Sequence, residues 1–260
     1  MRRYLVLLGL FLFLSACVDD QELDFSTLKG DPGYFMECYL KPGDVYKLTA
    51  TKIQPIYEDY ILDYSLEFLV AIDTIELVQG IYKEAGSGYI FNYRHAARFI
   101  PVQDKTVSLR VISPENDTIT ATSTIPDQVA IEAAQLTVQG VSFSFKTTSE
   151  GSHNYYITSI DAHLTDTIET QCLFVDYGYI NAVQTEDIEF DLKTDEYERV
   201  EINLKRVTRE NFYYQVSLWN ANKANSDNLT FPSPLAGNLI NAMGIFTCYT
   251  EDSRVLHGKK

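Results

Sequence analysis

The chain has 260 residues, of which 45% are hydrophobic and 22% are charged, so it can bury a core and is not disordered by composition. Its 36 Asp and Glu residues outnumber 21 Lys and Arg residues, which gives a formal net charge of -15. Such a surface repels phosphate backbones, and nucleic acid is therefore excluded as an expected partner.

The amino terminus has the pattern of an export signal. Arg2 and Arg3 precede an apolar run from Tyr4 to Leu14, which is shorter than the roughly 20 residues that a membrane-spanning helix needs. The pattern predicts a signal peptide over residues 1–16. The sequence Leu14-Ser15-Ala16-Cys17 resembles a bacterial lipobox, which predicts that the sulfur of Cys17 carries lipid. A chance cysteine after an ordinary signal peptide is the alternative.

An acidic segment, Val18-Asp19-Asp20-Gln21-Glu22, directly follows Cys17. It resembles the signal that sends Bacteroidetes lipoproteins to the outer face of the outer membrane, and we expect an acidic tether over residues 17–30. A plain solvated linker on a periplasmic-facing anchor is the alternative. Because an acidic protein is repelled by anionic headgroups, the lipid must hold it at the membrane.

Short strands are predicted through the first half of the body. Pro and Gly in Lys41-Pro42-Gly43-Asp44 predict a type II turn between strands over 34–40 and 45–52. Strands and turns then recur at the spacing of about 8 to 12 residues that is typical of a β-sandwich. The further strands are Leu66–Ile72, Ile75–Ile81, Tyr89–Tyr93, Val107–Val111 and Thr118–Ile125, and the stretch Tyr57–Tyr64 is a loop or a short helix.

A domain boundary is predicted at Ile125-Pro126-Asp127, because Pro ends the preceding strand and a less patterned segment follows. Helical periodicity long enough for a βαβ crossover is missing. The sequence predicts an all-β protein with two β-sandwich domains, immunoglobulin-like or transthyretin-like, over residues 31–126 and 127–260. The strands of the second domain are Val141–Phe145, Tyr155–Ala162, Cys172–Val175, Ile188–Leu192, Val200–Leu204, Phe212–Leu218 and Gly244–Tyr249, with a long loop over 220–234.

Three cysteines remain when Cys17 is assigned to lipid: Cys38, Cys172 and Cys248. Their apolar and aromatic neighbours predict buried thiols, while a bridge between Cys172 and Cys248 stays open as the alternative. No cysteine or histidine has the spacing of a metal site.

Four parts of the sequence together resemble a known family. They are the lipobox, the strand and turn over 37–43, the segment Ile119–Pro126 and the segment Pro234–Phe246. They are similar to the Bacteroidetes outer-membrane lipoprotein family of domain of unknown function 4249. Asn241-Ala242-Met243-Gly244 departs from the Gly-Gly pair that is more common there. The resemblance implies a two-part β fold on the cell surface, often encoded beside TonB-dependent transporters, and no established chemistry.

Motifs of catalysis are missing from the sequence, including the G-x-S-x-G elbow, H-E-x-x-H, the Walker loop and the dinucleotide fingerprint. Carboxylates are densest over 186–198, where a Ca²⁺ site or paired glycosidase carboxylates are one interpretation. Alternation of Ile188 and Phe190 with Glu189 and Asp191 favours a solvated strand face instead. We therefore expect no enzyme activity, no metal and no cofactor.

Neighbouring aromatic residues offer a candidate binding surface, since adjacent side chains on a strand point to opposite faces. Rings with polar tips stack on sugars or anchor a protein partner. The alternative is a second covered face of the sheet. The candidate residues are Tyr177, Tyr179, Tyr213 and Trp219.

A short motif recurs at three predicted turns. Asp73-Thr74-Ile75, Asp117-Thr118-Ile119 and Asp166-Thr167-Ile168 resemble the Asp-Thr-apolar O-glycosylation sequon of this bacterial group. The three threonines, Thr74, Thr118 and Thr167, are candidate glycosylation sites, although turn chemistry selects the same residues.

These observations together lead to an expected function. We expect a protein that is anchored to the outer membrane through Cys17, faces the cell exterior and binds a ligand or partner without catalysis. Its expected role is as an accessory to TonB-dependent nutrient uptake, with a TonB-dependent transporter as a partner. A structural or adhesive surface component is the alternative, and an undetected hydrolase is a further one.

Overall fold

The computed structural model describes residues 33–53, 66–84, 88–100, 106–137, 140–148, 152–193, 197–226 and 234–258. The predicted signal peptide, the lipidation site at Cys17 and the acidic tether lie outside these residues. So does the stretch Tyr57–Tyr64.

Strands form most of the described chain, which confirms the prediction of a mainly β protein. The first seven strands are β1 (Tyr34–Leu40), β2 (Val45–Lys52), β3 (Leu69–Ile72), β4 (Ile75–Lys83), β5 (Ile90–Arg98), β6 (Thr106–Ile112) and β7 (Thr118–Thr124). The others are β8 (Ile131–Leu136), β9 (Gly140–Lys146), β10 (Ser152–His163), β11 (Ile168–Ile180), β12 (Thr185–Asp191), β13 (Arg199–Val207) and β14 (Met243–His257).

The described strands form one large and one small sheet. The large sheet has the order β11-β10-β13-β14-β1-β2-β5-β4-β3-β6-β7, and the small sheet has the order β12-β9-β8. Strand β14 connects the two halves of the large sheet. Its first part, Met243–Cys248, pairs in parallel with β1, and its second part, Tyr249–His257, pairs antiparallel with β13.

Two hydrophobic cores lie along this sheet. The first is built from strands β1 to β7 around residues such as Met36 and Tyr93, and Phe246 of β14 belongs to it. The second lies between the small sheet and strands β10 and β13, where the rings of Phe145 and Tyr156 have centroids 4.8 Å apart. Because β14 contributes to the first core, that core is not built from the first half of the chain alone.

The predicted type II turn is confirmed. Gly43 has a φ of 84°, which a residue with a side chain rarely adopts, and Asp44 N–H donates to the carbonyl oxygen of Lys41 at 3.1 Å. The turn joins β1 to β2 and sets the register in which Glu37 faces Thr49.

The prediction of a strand over Phe212–Leu218 is wrong, because Arg209–Ser226 form a helix, α1. The Thr208 hydroxyl accepts a hydrogen bond from Asn211 N–H at 3.2 Å and so caps the first turn. An acidic residue in the first turn and a basic one in the last suit the helix dipole, and neither Gly nor Pro interrupts the 18 residues. Within the described part of the chain, no helix is long and apolar enough to cross a membrane.

The three cysteines in the described residues are free thiols, so the alternative bridge between Cys172 and Cys248 is wrong. Cys172 lies on β11, which is separated from β14 and its Cys248 by β10 and β13 in the sheet. Burial raises the pKa of the Cys248 thiol to about 12 and also raises the pKa of Cys38 and Cys172.

Because the reactive form of a thiol is the thiolate, we expect the folded protein to react slowly with Ellman's reagent at pH 8. The half-buried Cys172 is expected to react first, ahead of the fully buried Cys38 and Cys248. In denaturant without a reductant, the thiols of Cys38, Cys172 and Cys248 are all expected to react. Reaction of only one of these three thiols would indicate a disulfide bond and would contradict the free thiols.

Candidate functional site

Helix α1 packs on the face of the large sheet that points away from the second core. Adjacent residues of β10 divide between the two faces: Tyr156 points into the second core, and Tyr155 packs beneath the helix with Val207 and Phe212. The Phe212 ring centroid lies 5.2 Å from that of Tyr155 and 6.1 Å from that of Phe174. The helix is therefore held on the sheet by aromatic contacts, and clefts open along its sides.

The first of these clefts, here called the α1 cleft, has a volume of about 470 Å³. It lies between α1 and strands β1, β2, β10, β13 and β14, where the first half of the chain meets the second. Ile157 and Val207 supply apolar surface, and the other lining residues are polar or aromatic. These are Glu37, Tyr39, Lys47, Glu84, Tyr89, Lys205, Asn211, Gln215 and Tyr249.

Asn211 is the unusual residue of the α1 cleft. Its side chain is only 3% exposed, and among the described residues its Oδ1 atom has no hydrogen-bond partner. A buried polar atom without a partner costs about 1–3 kcal/mol and is rare in native proteins. Because this oxygen is fully buried, it faces protein atoms and not the open space of the cleft.

Around Asn211, four side chains form a hydrogen-bonded network. The hydroxyl groups of Tyr214 and Tyr39 both donate to Glu37 Oε1, at 2.8 and 3.2 Å. Gln215 Nε2 in turn donates to the Tyr39 hydroxyl at 3.1 Å. The network joins α1 to β1, so the wall of the cleft is held in place by polar contacts.

The two ammonium groups of the α1 cleft already have partners. Lys47 forms an ion pair with Glu84. The ammonium group of Lys205 lies 5.4 Å from the centroid of the Tyr249 ring, within the range of a cation–π interaction.

Three phenols at the α1 cleft have a raised pKa. Burial is the main cause for Tyr39, Tyr214 and Tyr249, and the Glu37 carboxylate adds to it for the first two. All three phenols are therefore protonated hydrogen-bond donors at neutral pH.

These raised pKa values lead to an expected dependence of stability on pH. Below the ordinary tyrosine pKa of about 10, both folded and unfolded chains keep these protons, so the phenols do not change the free energy of unfolding. Above that pH the unfolded chain loses them first, and stability is expected to fall as pH rises. In an absorbance titration at 295 nm, some tyrosines are expected to ionise only together with unfolding. Ionisation of every tyrosine near pH 10 in a folded chain would contradict this.

The second cleft, here called the Arg206 cleft, is larger, at about 810 Å³, and lies at the amino end of α1. Arg206 is buried there, and burial lowers the pKa of its guanidinium group. The guanidinium group donates hydrogen bonds to the carbonyl oxygens of His153, Tyr155 and Val207 and to the Thr148 hydroxyl at 2.9 to 3.3 Å. The N–H donors of the guanidinium group are thus used in bonds within the protein, and the group has a structural role.

The structure separates Tyr177 from the other three aromatic residues that were predicted as one binding surface, which lie on the helix side of the sheet. Tyr177 packs against the second core, with ring centroids 5.8 Å from Tyr156. A β-bulge at Gly178 changes the register, so Tyr179 points to the helix face beside His153 and is 58% exposed. Tyr213 lines the Arg206 cleft, and Trp219 lies against Phe174 further along α1 with 55% exposure.

Other predicted sites lie on exposed strands and turns. On β12, Ile188 and Phe190 are buried while Glu189 and Asp191 are exposed, which confirms the interpretation as a solvated face. No cluster of three potential metal ligands occurs among the described residues. The threonines of the three Asp-Thr motifs, Thr74, Thr118 and Thr167, are all exposed at turns or strand ends.

Sequence reasoning missed the residues of the α1 cleft. Tyr39 and Tyr249 were placed correctly on strands, yet nothing in their local pattern indicates that β1 and β14 lie side by side. Asn211 and Gln215 are four residues apart, which is the spacing of one helix face. This spacing would have indicated a shared face if the sequence had predicted the helix.

The fold and the cleft together define a class: a mainly β protein with a small-molecule-sized cleft between a helix and a continuous sheet. The chain belongs to the family described as domain of unknown function (DUF4249), whose model matches residues 18–255. No curated protein matches the chain. Among solved structures, a DUF4785 family protein from Legionella pneumophila is similar at 12% identity with a TM-score of 0.27. The match covers 66% of this chain and about half, 51%, of that protein.

Proposed function

We propose that the protein is an outer-membrane lipoprotein that faces the cell exterior, is anchored through Cys17 and binds a ligand without catalysis. Each hydrophobic core is proposed to mark one β-sandwich domain, with a boundary near residue 126 and with the first part of β14 returning to complete the first core. The proposed role is as an accessory to a TonB-dependent transporter in nutrient uptake, and the α1 cleft is the proposed ligand site.

One observation carries this proposal: a cleft between α1 and the sheet whose wall is ordered by hydrogen bonds from α1 to β1. The volume of about 470 Å³ falls within the range of roughly 300–1,000 Å³ that is usual for small-molecule sites. The fixed network around Glu37 also supports binding, because a wall that is already ordered loses little entropy when a ligand enters.

Purification from native membranes tests the proposal. The lipidated protein is extracted from outer membranes in a mild detergent, and the proteins that remain bound are identified. A TonB-dependent barrel is expected with the natural chain, and Cys17→Ser is expected to release the protein from the membrane fraction. Outer membranes that lack the protein, or a natural chain recovered without any barrel, would contradict the proposed role.

A second candidate, a structural or adhesive role, is favoured by exposed apolar residues on neighbouring strands. Leu69 on β3 and Val78 and Ile81 on β4 are all exposed. Apolar side chains grouped on a surface mark interaction sites. If this role is correct, the protein is expected to self-associate, and Val78→Lys with Ile81→Lys is expected to return it to monomers in sedimentation measurements.

A further inference from the structure

We propose that the outer edge of β11 pairs with an extended segment of another protein, one that has an uncharged, strand-forming centre between basic residues. This edge is separate from the α1 cleft, because none of the described residues that line the cleft belongs to β11. The inference therefore goes beyond the proposed ligand site and does not depend on it. It follows from the position of β11 in the sheet, from its sequence and from the charges around it.

Strand β11 is the outermost strand at one end of the large sheet, and its 13 residues pair with β10 on one side. Backbone N–H and C=O groups alternate in direction along a strand, so about half of those on an edge strand point outward. Within the described ranges, no strand pairs with this outer side. Outward backbone groups of this kind can form a ladder of hydrogen bonds with an added strand.

The opposite end of the large sheet shows how this fold protects an edge. On β7, the carbonyl oxygens of Thr118, Thr120 and Thr122 accept hydrogen bonds at 2.9 to 3.1 Å from the segment 238–241. These alternate carbonyl groups are the ones that an added strand would need. The outer edge of β7 is thus bonded within the chain.

The small sheet protects its edges in other ways. On β8, the N–H of Ile131 donates to Asp252 Oδ2 at 2.8 Å, and its carbonyl oxygen accepts from Arg254 Nη2 at 3.2 Å. Strand β12 carries four carboxylates in 7 residues, and charged side chains on an edge oppose pairing with another strand. Both edges of the small sheet are therefore guarded by side chains.

The centre of β11 differs from these three edges. Its run Thr170–Val175 has no charged residue and no proline, and most of its residues favour strands. Leu173 is 39% exposed on one face, and on the other face Phe174 has the ring of Trp219 at 6.2 Å, with Trp219 itself 55% exposed. Because alternate side chains of an added strand point to the two faces, they would pack beside Leu173 and Trp219.

The charges beside this run favour basic residues in the partner. Glu169 precedes the run, Asp176 follows it, and β11 carries no basic residue. Strand β12 lies close to one end, since Gln171 Nε2 donates to the carbonyl oxygen of Asp191 at 2.6 Å, and β12 adds its own carboxylates. Lys193 pairs with Glu169 at 3.3 Å, but its side chain is 84% exposed. A segment with Lys or Arg on either side of its centre therefore complements this edge.

The same charges disfavour a second copy of this chain as the occupant. An antiparallel pair centred on Thr170–Val175 places Glu169 of one copy opposite Asp176 of the other, and like charges directly opposite are destabilising. Each copy also carries a net charge of -15, so two copies repel each other as they approach. The edge therefore fits another protein better than it fits itself.

Binding of defined peptides to the mature protein in a mild detergent tests the inference. The probe is a fluorescent peptide of alternating valine and threonine with lysines at both ends. One comparison peptide has glutamates in place of the lysines, and another keeps the lysines and has proline in place of every threonine, which removes backbone donors. All are titrated by fluorescence anisotropy up to about 1 mM, so that weak affinities are detected.

We expect the lysine peptide to bind about tenfold more tightly than either comparison peptide. When it binds, hydrogen exchange of the backbone amides of Ile168–Ile180 is expected to slow, because outward N–H groups become hydrogen-bonded. Mass spectrometry of peptic fragments measures this exchange and locates the bound peptide on the chain.

Leu173→Lys adds a charge at the centre of the edge, and its matched control is Val255→Lys, which adds the same charge at an exposed residue of β14, inside the large sheet. We expect the first variant to weaken binding of the lysine peptide about tenfold and the second to leave it unchanged. Trp219→Ala leaves β11 intact and is expected to weaken binding about threefold through the lost apolar contact. Urea unfolding checks each fold, and Trp219→Ala decides the question if Leu173→Lys does not fold.

The outcomes that contradict the inference are distinct. Equal binding to Leu173→Lys and Val255→Lys, or slowed exchange in a part of the chain other than β11, would overturn the edge as the site. A glutamate peptide that binds as tightly would overturn the basic residues, and a proline peptide that does so would overturn strand pairing. Absence of binding by the lysine peptide would overturn the inference as a whole. Self-association that Leu173→Lys abolishes would assign the edge to a second copy instead of another protein.

Discussion

Replacement of Gly244 by Ala is expected to lower the free energy of unfolding by more than about 3 kcal/mol, because it combines backbone strain with a clash in the core. Gly244 has a φ of 109°, and a Cβ atom there would lie 1.9 Å from the carbonyl oxygen of Met36. The two residues face each other in the parallel pair of β1 and β14. To relieve the clash, the strands would have to separate at the point where β14 enters the first core.

Gly43→Ala is the matched control for this prediction. Gly43 also has a positive φ, of 84°, but no atom lies within 4 Å of the position of its missing Cβ. Its replacement is expected to cost only the strain of the backbone, about 1–2 kcal/mol. Urea unfolding followed by circular dichroism measures both variants. A loss of stability in Gly244→Ala no larger than that in Gly43→Ala would contradict the close approach of β1 and β14.

Replacement of Arg206 by Met is expected to have the second large effect, a loss of at least about 3 kcal/mol in the free energy of unfolding. Hydrogen bonds to a charged group contribute roughly 1.5–3 kcal/mol each, and four are lost, while the cost of burying the charge is removed at the same time. These bonds tie β13 to β10 and to Thr148, which follows β9. Their loss is therefore expected to loosen the second core as well as the Arg206 cleft.

Arg199→Met provides the control for this second effect, since Arg199 lies on the same strand and is exposed. Its replacement is expected to change stability by less than about 0.5 kcal/mol, as is usual for surface positions. The same urea titration measures both variants. If Arg206→Met were as stable as Arg199→Met, the hydrogen bonds of the buried guanidinium group would contribute nothing net.

Local patterns predicted most of the strands and the turn before β2, because each depends on neighbours in sequence, but they missed β8 and placed a loop over 220–226, where α1 lies. Along β2, Leu48 and Ala50 alternate with Lys47, Thr49 and Thr51 and are the buried residues, and Pro42 with Gly43 specified the turn before it. Such signals act over a few residues, so no knowledge of the rest of the fold is needed to interpret them.

The sequence did not predict the helix, because these residues also fit the alternating pattern of a strand. Aromatic and β-branched residues alternate from Phe212 to Leu218, which favours a strand by residue type. The hydroxyl cap from Thr208 and the lack of Gly and Pro over 18 residues favour a helix instead. Contacts of Phe212 with Tyr155 and Phe174 on the sheet then stabilise the helical form.

The sequence did not predict the candidate site, because its residues come together only through the pairing of strands that are distant in sequence. Glu37 and Tyr214 are 177 residues apart in sequence and meet only because α1 lies across β1 and β14. In a regular strand, residues two apart point to the same face. The bulge at Gly178 instead places Tyr177 and Tyr179 on opposite faces of the sheet.

The segment Pro234–Phe246, which carries much of the family resemblance, serves the fold. The Asn238 side chain exchanges hydrogen bonds with the backbone N–H and carbonyl of Phe246 at 3.0 and 2.8 Å and also donates to the carbonyl of Thr122. Asn241 has a φ of 66° and donates to the carbonyl of Thr118. The segment thus fastens β7 to β14, and its distinctive residues are explained by backbone contacts.

The most direct test of the α1 cleft as the ligand site is a crystal structure of the protein with a ligand that remains bound during purification from native membranes. We expect the ligand to lie between α1 and the sheet, in contact with Gln215 and Tyr249. A ligand bound in the Arg206 cleft or elsewhere on the surface, with the α1 cleft left to solvent, would contradict the α1 cleft as the ligand site.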